Sequence, residues 1–181
     1  MNNGLNFIGS QLLWLLAVGG AAHAKPWLGP LACMLFAMLQ LSPRFRARGD
    51  VSLMLLALPV GLVVDTTMAA SGLLRYASPL PHPGIAPVWI LALWMGFALT
   101  FNHSLAYVLR RPLLAVLFGA VGGPLSYWIA SRTWAAVQFT DCLPSVLLPL
   151  AALWGAAMGL FSYATLHLAR TPLPSSSGVA E

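Results

Sequence analysis

The sequence predicts an all-α membrane protein, a single bundle of six transmembrane helices with both termini in the cytoplasm. Three observations carry this. Apolar residues make up 59% of the 181 positions and charged residues only 7%, against about 25% charged in a soluble domain. The few charges are separated by uncharged runs close to the roughly 20 residues that one membrane crossing needs. The basic residues also fall in alternate connections, as the positive-inside bias requires.

The helices follow in order. The first uncharged run spans Leu5 to Ala24, the second Pro26 to Ser42 and the third Val51 to Leu74, the last holding Asp65. The fourth spans Val88 to Leu109, the fifth Pro112 to Ser131 and the sixth about Ser145 to Ala169. Runs of this length read as helices, because a spanning segment must satisfy its own backbone groups. A barrel would show alternating segments of about ten residues instead. Ala22-His23-Ala24 has a signal-peptidase form, but the leader carries no basic side chain, so the first run is expected to stay as a helix. Residues 1–170 form one domain, and Thr171 to Glu181 is expected to be a disordered cytoplasmic tail. Arg44, Arg46, Arg48, Arg110, Arg111 and Arg170 fall on one side, Lys25, Arg75 and Arg132 on the other. That asymmetry sets the orientation in a bacterial inner membrane.

The connections and breakers have their own character. Pro79, Pro81, Pro83 and Pro87 make the third connection stiff. Arg132 to Pro144, with Trp134 and Phe139, is expected to lie on the membrane surface. Pro59, Pro124 and Pro149 fall inside spans, and Gly122-Gly123-Pro124 is expected to bend or unwind the fifth helix. Gly119 and Gly123, Gly155 and Gly159, and Gly96, Thr100 and Ser104 form small-residue faces for close helix packing.

Composition also excludes functions. The net charge of +5 arises from scattered topology arginines, not from a basic run, so a nucleic-acid partner is not expected. Cys33 and Cys142 form neither a disulfide framework nor a zinc spacing, so no metal and no cofactor is expected. No G-x-S-x-G elbow, H-E-x-x-H pair or Walker loop is present.

The candidate site residues are the polar groups inside the spans. Asp65 is the one charged residue within a predicted span, and such a group is costly unless it is hydrogen-bonded or functional. It lies about 21 Å from the start of its helix at 1.5 Å per residue. Counting every helix the same way gives two polar layers. The outer holds Asp65, Thr66, Ser126 and Tyr127; the inner holds Gln11, Gln40, Asn102, His103 and Ser162. Asp65 should approach Ser126 or Tyr127. A direct Asp65–His103 pair is disfavoured, because the two are about 12 Å apart in depth.

Two segments resemble a known family. Pro87-Val-Trp89-Ile-Leu-Ala-Leu-Trp94-Met-Gly-Phe97-Ala98 and Gly122-Gly123-Pro124-Leu125-Ser-Tyr127, with Asn6, Trp14, Gly61 and Asp65 in the earlier helices, resemble a family of small bacterial inner-membrane proteins classed as a domain of unknown function. The likeness runs from about Asn6 to His167. It implies a link to membrane-lipid modification or an envelope stress response, with a lipid-modifying enzyme as partner, and it implies no catalytic residue.

The expected function is an accessory or binding protein for a lipid, a small amphiphile or a membrane partner. Asp65, Thr66, Asn102, His103, Ser126 and Tyr127 would be its recognition groups. Two alternatives stay open. One is an intramembrane enzyme acting on lipid, which needs Asp65 and His103 in one cavity. The other is a transport component with a pocket under the proline-rich loop.

Overall fold

A computed structural model describes residues 2–170, without the side chains of 169 and 170. The expected tail, Thr171 to Glu181, lies outside the described residues. The elements run α1 (Asn3–Ala22), α2 (Leu28–Gln40), α3 (Asp50–Ala70), β1 (Leu74–Tyr76), α4 (Val88–Ala98), α5 (Ala106–Leu109), α6 (Pro112–Trp134), β2 (Val137–Phe139) and α7 (Leu143–Arg170). Among these, α1, α3, α6 and α7 are long and apolar enough to cross a membrane, while α2 and α4 are shorter apolar helices. Leu12, Leu16, Leu55, Val63, Leu117, Val121 and Leu148 are all exposed on the outside of the bundle. A water-facing protein does not present apolar surface on that scale.

The central element is α4. Trp89, Trp94 and Ala98 are buried on it, and it packs against α1, α2 and α3. Small residues permit these contacts. A Cβ on Gly61 would sit 2.3 Å from the Trp94 ring, and one on Gly96 2.0 Å from Leu13. The α6 and α7 helices pair along their small-residue faces. Gly119 and Gly123 receive Trp154 and Met158, while Gly155 and Gly159 receive Val116 and Ala120. These glycine pairs serve packing inside the bundle.

Three expectations are corrected. First, α6 is not unwound at Gly122-Gly123-Pro124 but runs as one helix through it. Gly123 is there for the approach of Trp154, whose ring leaves no room for a Cβ, and not to break the helix. Secondly, the fourth helix is the one that breaks. It stops at Ala98, and Leu99 to Leu105 runs as successive turns closed by bonds such as Thr100 N–H to Phe97 O and His103 N–H to Thr100 O. No proline causes this. Thr100 Oγ1 donates to Phe97 O at 2.6 Å and Asn6 Nδ2 to Leu99 O at 3.1 Å, so side chains take over backbone groups that the helix gives up. Thirdly, the third helix ends at Ala70, short of Leu74. Gly72 follows with φ +74, a left-handed position that glycine adopts without strain. The 132–144 connection also contains a strand that the sequence does not predict. Its Val137–Phe139 pairs antiparallel with Leu74–Tyr76, with Arg75 opposite Gln138.

Arg44, Arg46 and Arg48 precede α3, and Arg110 and Arg111 precede α6. These five lie at one end of the bundle, where Asn102 Nδ2 donates to Arg48 O. Lys25, Arg75 and Arg132 lie at the other, where Ser78 Oγ donates to Ala21 O and Trp134 packs on Gly19. We call these the arginine end and the proline end.

Candidate functional site

Two polar clusters and one cleft make up the candidate site. The first cluster centres on Asp65, which is fully buried on α3. Tyr127 from α6 and Tyr76 from β1 both donate their hydroxyls to Oδ1, the latter at 2.8 Å. Trp94 Nε1 from α4 donates to Oδ2 at 2.6 Å. The contact expected between Asp65 and the Gly-Gly-Pro helix is therefore made, by Tyr127. Three donors from three elements satisfy one carboxyl group, as a buried acceptor requires. Burial first, then the adjacent carboxylate, raises the Tyr76 hydroxyl well above its ordinary value, so Tyr76 stays a neutral donor. Thr66 and Ser126 do not join this cluster. Thr66 Oγ1 accepts from Ala86 N–H at 3.1 Å and anchors the proline-rich loop, and Ser126 Oγ donates to Gly123 O at 2.8 Å.

The second cluster lies at the arginine end. His103 Nε2 is 2.9 Å from Asp50 Oδ2 and 2.9 Å from Gln40 Nε2. Asn102 Nδ2 donates to Asp50 Oδ1 at 2.9 Å. Asn6 Nδ2 donates to Gln40 Oε1 at 2.9 Å, and Ser104 Oγ donates to Asn6 Oδ1 at 2.6 Å. So α1, α2, α3 and the turns after α4 are tied together at one level. Of the expected inner layer, Gln40, Asn102 and His103 meet here. Gln11 does not, and Ser162 instead donates to Leu109 O at 2.7 Å.

His103 thus has an aspartate partner, but it is Asp50 and not Asp65. Asp50 reads in the sequence as one more charge of a polar connection; it is fully buried. The available signal is its place directly after Gly49, at the first helical position, where an acid suits the helix dipole. Asn6, Ser104, Tyr76 and Trp94 were missed as well. Asn6 and Ser104 are ordinary polar residues at helix ends, and nothing in their spacing pairs them. Trp94, one of several tryptophans in apolar runs, carries no sequence signal that marks it as a donor to Asp65.

The cleft lies between α1 and α6, which meet closely only towards the proline end, where Trp14 and Trp134 approach to 6.0 Å between ring centres. It encloses about 320 Å³. Its back wall is α4 and Trp154, with Trp94 and Trp154 stacked at 4.3 Å. Gly119, Gly122 and Gly123 widen it on the α6 side, and Ser10, Gln11, Ser126 and Tyr127 line it with the tryptophan indoles as polar groups. Neither Asp65 nor His103 lines it. It is lined by residues of α1, α4, α6, β2 and α7 and by none of the proline-rich segment 78–87. No group of three or more His, Cys, Asp or Glu side chains able to hold a metal occurs among the described residues.

Residues 3–160 match the family described as "Protein of unknown function (DUF2878)". No curated protein and no solved structure matches the chain. With the match covering nearly all of the helical bundle, the chain belongs to this family of proteins of unknown function.

Proposed function

We propose that the protein is a multi-pass inner-membrane protein that takes the apolar part of a lipid or other amphiphile from the bilayer into the cleft between α1 and α6. The cleft itself carries this reading. It is concave, largely apolar and within the roughly 300–1,000 Å³ of small-molecule sites, and it opens between two helices whose neighbouring side chains, such as Leu12 and Leu125, are exposed. Asp65 serves the cleft indirectly: its bonds to Tyr127 and Trp94 hold two wall residues in place. A lipid-modifying enzyme, the partner that the family resemblance implies, would meet the held chain at the cleft mouth.

Six crossings fit this reading. Gln40 bonds Asn6 near the start of α1, and Leu28 packs on Gly20 near its end, so the short α2 covers nearly the depth of α1. At about 20 Å, it requires modest local thinning of the bilayer. The arginine end faces the cytoplasm by the positive-inside rule.

Gly122 offers a clean test. A Cβ there meets only the Phe118 ring, at 3.9 Å, so Gly122→Leu fills the cleft without disturbing the backbone. Mass spectrometry of lipid retained by the purified protein should show a loss of about tenfold, equivalent to about 1.4 kcal/mol. Equal retention by wild type and Gly122→Leu would overturn the reading.

A further inference from the structure

The lining of the cleft specifies the class of occupant. It contains no Asp, Glu, Lys, Arg or His, so nothing there compensates an ionised headgroup taken out of water. Besides Tyr127 and the tryptophan indoles, its polar side chains are Ser10 and Gln11 on α1 and Ser126 on α6. The first two lie within about 7 Å of the third in depth along the bundle. Trp134 touches α1 between Trp14 and Gly19. Ser126 lies about 12 Å back from Trp134 along α6, and Gln11 about 5–12 Å back from those contacts along the parallel α1.

Their hydrogen bonding is incomplete in a particular sense. The Ser10 and Ser126 hydroxyls donate to Phe7 O and Gly123 O at 2.7 and 2.8 Å, which leaves their lone pairs to accept. Gln11 is exposed, and its one hydrogen bond among the described residues runs from Nε2 to Ser10 Oγ at 3.4 Å. A carboxamide has two donors and an accepting oxygen. Most of that capacity is unused, on a helix whose neighbours Leu12, Leu15 and Leu16 are exposed apolar residues. Leaving such a group unpaired in hydrocarbon is costly. The site therefore offers both donors and acceptors, all neutral, beside the aromatic wall of Trp94 and Trp154.

We propose, resting on the amphiphile reading above, that the occupant is an uncharged lipid bearing a free hydroxyl. The hydroxyl donates to a serine oxygen or Gln11 Oε1 and accepts from Gln11 Nε2, while its chain lies along the tryptophans. A diacylglycerol and a long-chain or isoprenoid alcohol share this chemistry.

The test uses the full chain in detergent micelles, with tryptophan fluorescence reporting occupancy of the wall. The probes are dioleoylglycerol, farnesol, farnesyl methyl ether and phosphatidylglycerol. Saturable binding of dioleoylglycerol or farnesol is expected, and the tighter of the two identifies the source. The ether, which cannot donate, should bind about tenfold more weakly than farnesol, and phosphatidylglycerol at least as weakly. Gln11→Leu, at an exposed position that tolerates leucine, should remove the preference for alcohol over ether. Equal binding of ether and alcohol, equal binding of phosphatidylglycerol, or an unchanged preference in Gln11→Leu would each overturn the proposal. If Gly122→Leu still expels retained lipid in those cases, the amphiphile reading survives without it. If no probe binds and the wild type retains no lipid, both fall. A dimer that Gly122→Leu separates would overturn both, with a second copy as the occupant.

Discussion

Asp50 and His103 illustrate how much one residue's role depends on its partners. Asp50 accepts from Ala47 N–H at 2.8 Å and from Asn102 Nδ2, and it faces His103 Nε2. Removing it leaves these half-buried groups without their acceptor, where an unsatisfied polar group costs about 1–3 kcal/mol when fully buried and less with access to water. Asp50→Ala is therefore expected to destabilise the bundle by at least about 2 kcal/mol in denaturant unfolding from micelles. His103→Ala should cost less, and the double variant should be less destabilised than the sum by about 1 kcal/mol. Strict additivity would mean that the two side chains do not interact. Asp65 is the contrasting case. Its importance is legible in the sequence because an acid within a long apolar run is conspicuous. Its partners are only partly legible: Tyr127 follows from counting depth along the helices, whereas Tyr76 comes from a strand that the sequence did not reveal.

At the scale of the element, the adjacent glycines of α6 have opposite jobs. A Cβ on Gly123 would lie 2.3 Å from Trp154 Cγ, while one on Gly122 meets nothing closer than 3.9 Å. Gly123→Ala should push α6 from α7 and cost about 1–3 kcal/mol, as overpacking does. Gly122→Ala should be neutral or stabilise by up to about 1 kcal/mol, through helix propensity. Thermal unfolding of the two variants in the same detergent checks this, and equal melting temperatures would contradict the packing. The Gly-Gly-Pro run reads as the strongest breaker in the chain, yet the helix continues through it. The break falls instead at Leu99 to Leu105, where polar side chains from α1 and from the segment itself satisfy the backbone. Local propensity loses to tertiary packing in the first place and to tertiary hydrogen bonding in the second.

The whole molecule is a bundle whose two ends differ in charge and which holds an apolar cleft between α1 and α6. Six crossings with the arginine end inside make a simple prediction. Cys142, exposed at the proline end, should react with a membrane-impermeant maleimide in intact cells, whereas buried Cys33 should not. A cysteine placed at Ser42 in a Cys142→Ala background should react only after the inner membrane is permeabilised. Labelling of both sites from outside would refute the six-crossing reading. The membrane class, the approximate helix limits and the clustering of arginines at one end were determined by the sequence alone. Apolar run length and charge placement are local quantities, set by the thickness and dielectric of the bilayer. The partner of His103, the β1–β2 ribbon, the helix that breaks and the cleft itself were decided only by the tertiary structure. Each depends on distances between residues far apart in the chain, such as Asn6 and Ser104 or Trp14 and Trp134, and no periodicity or spacing along one helix encodes them.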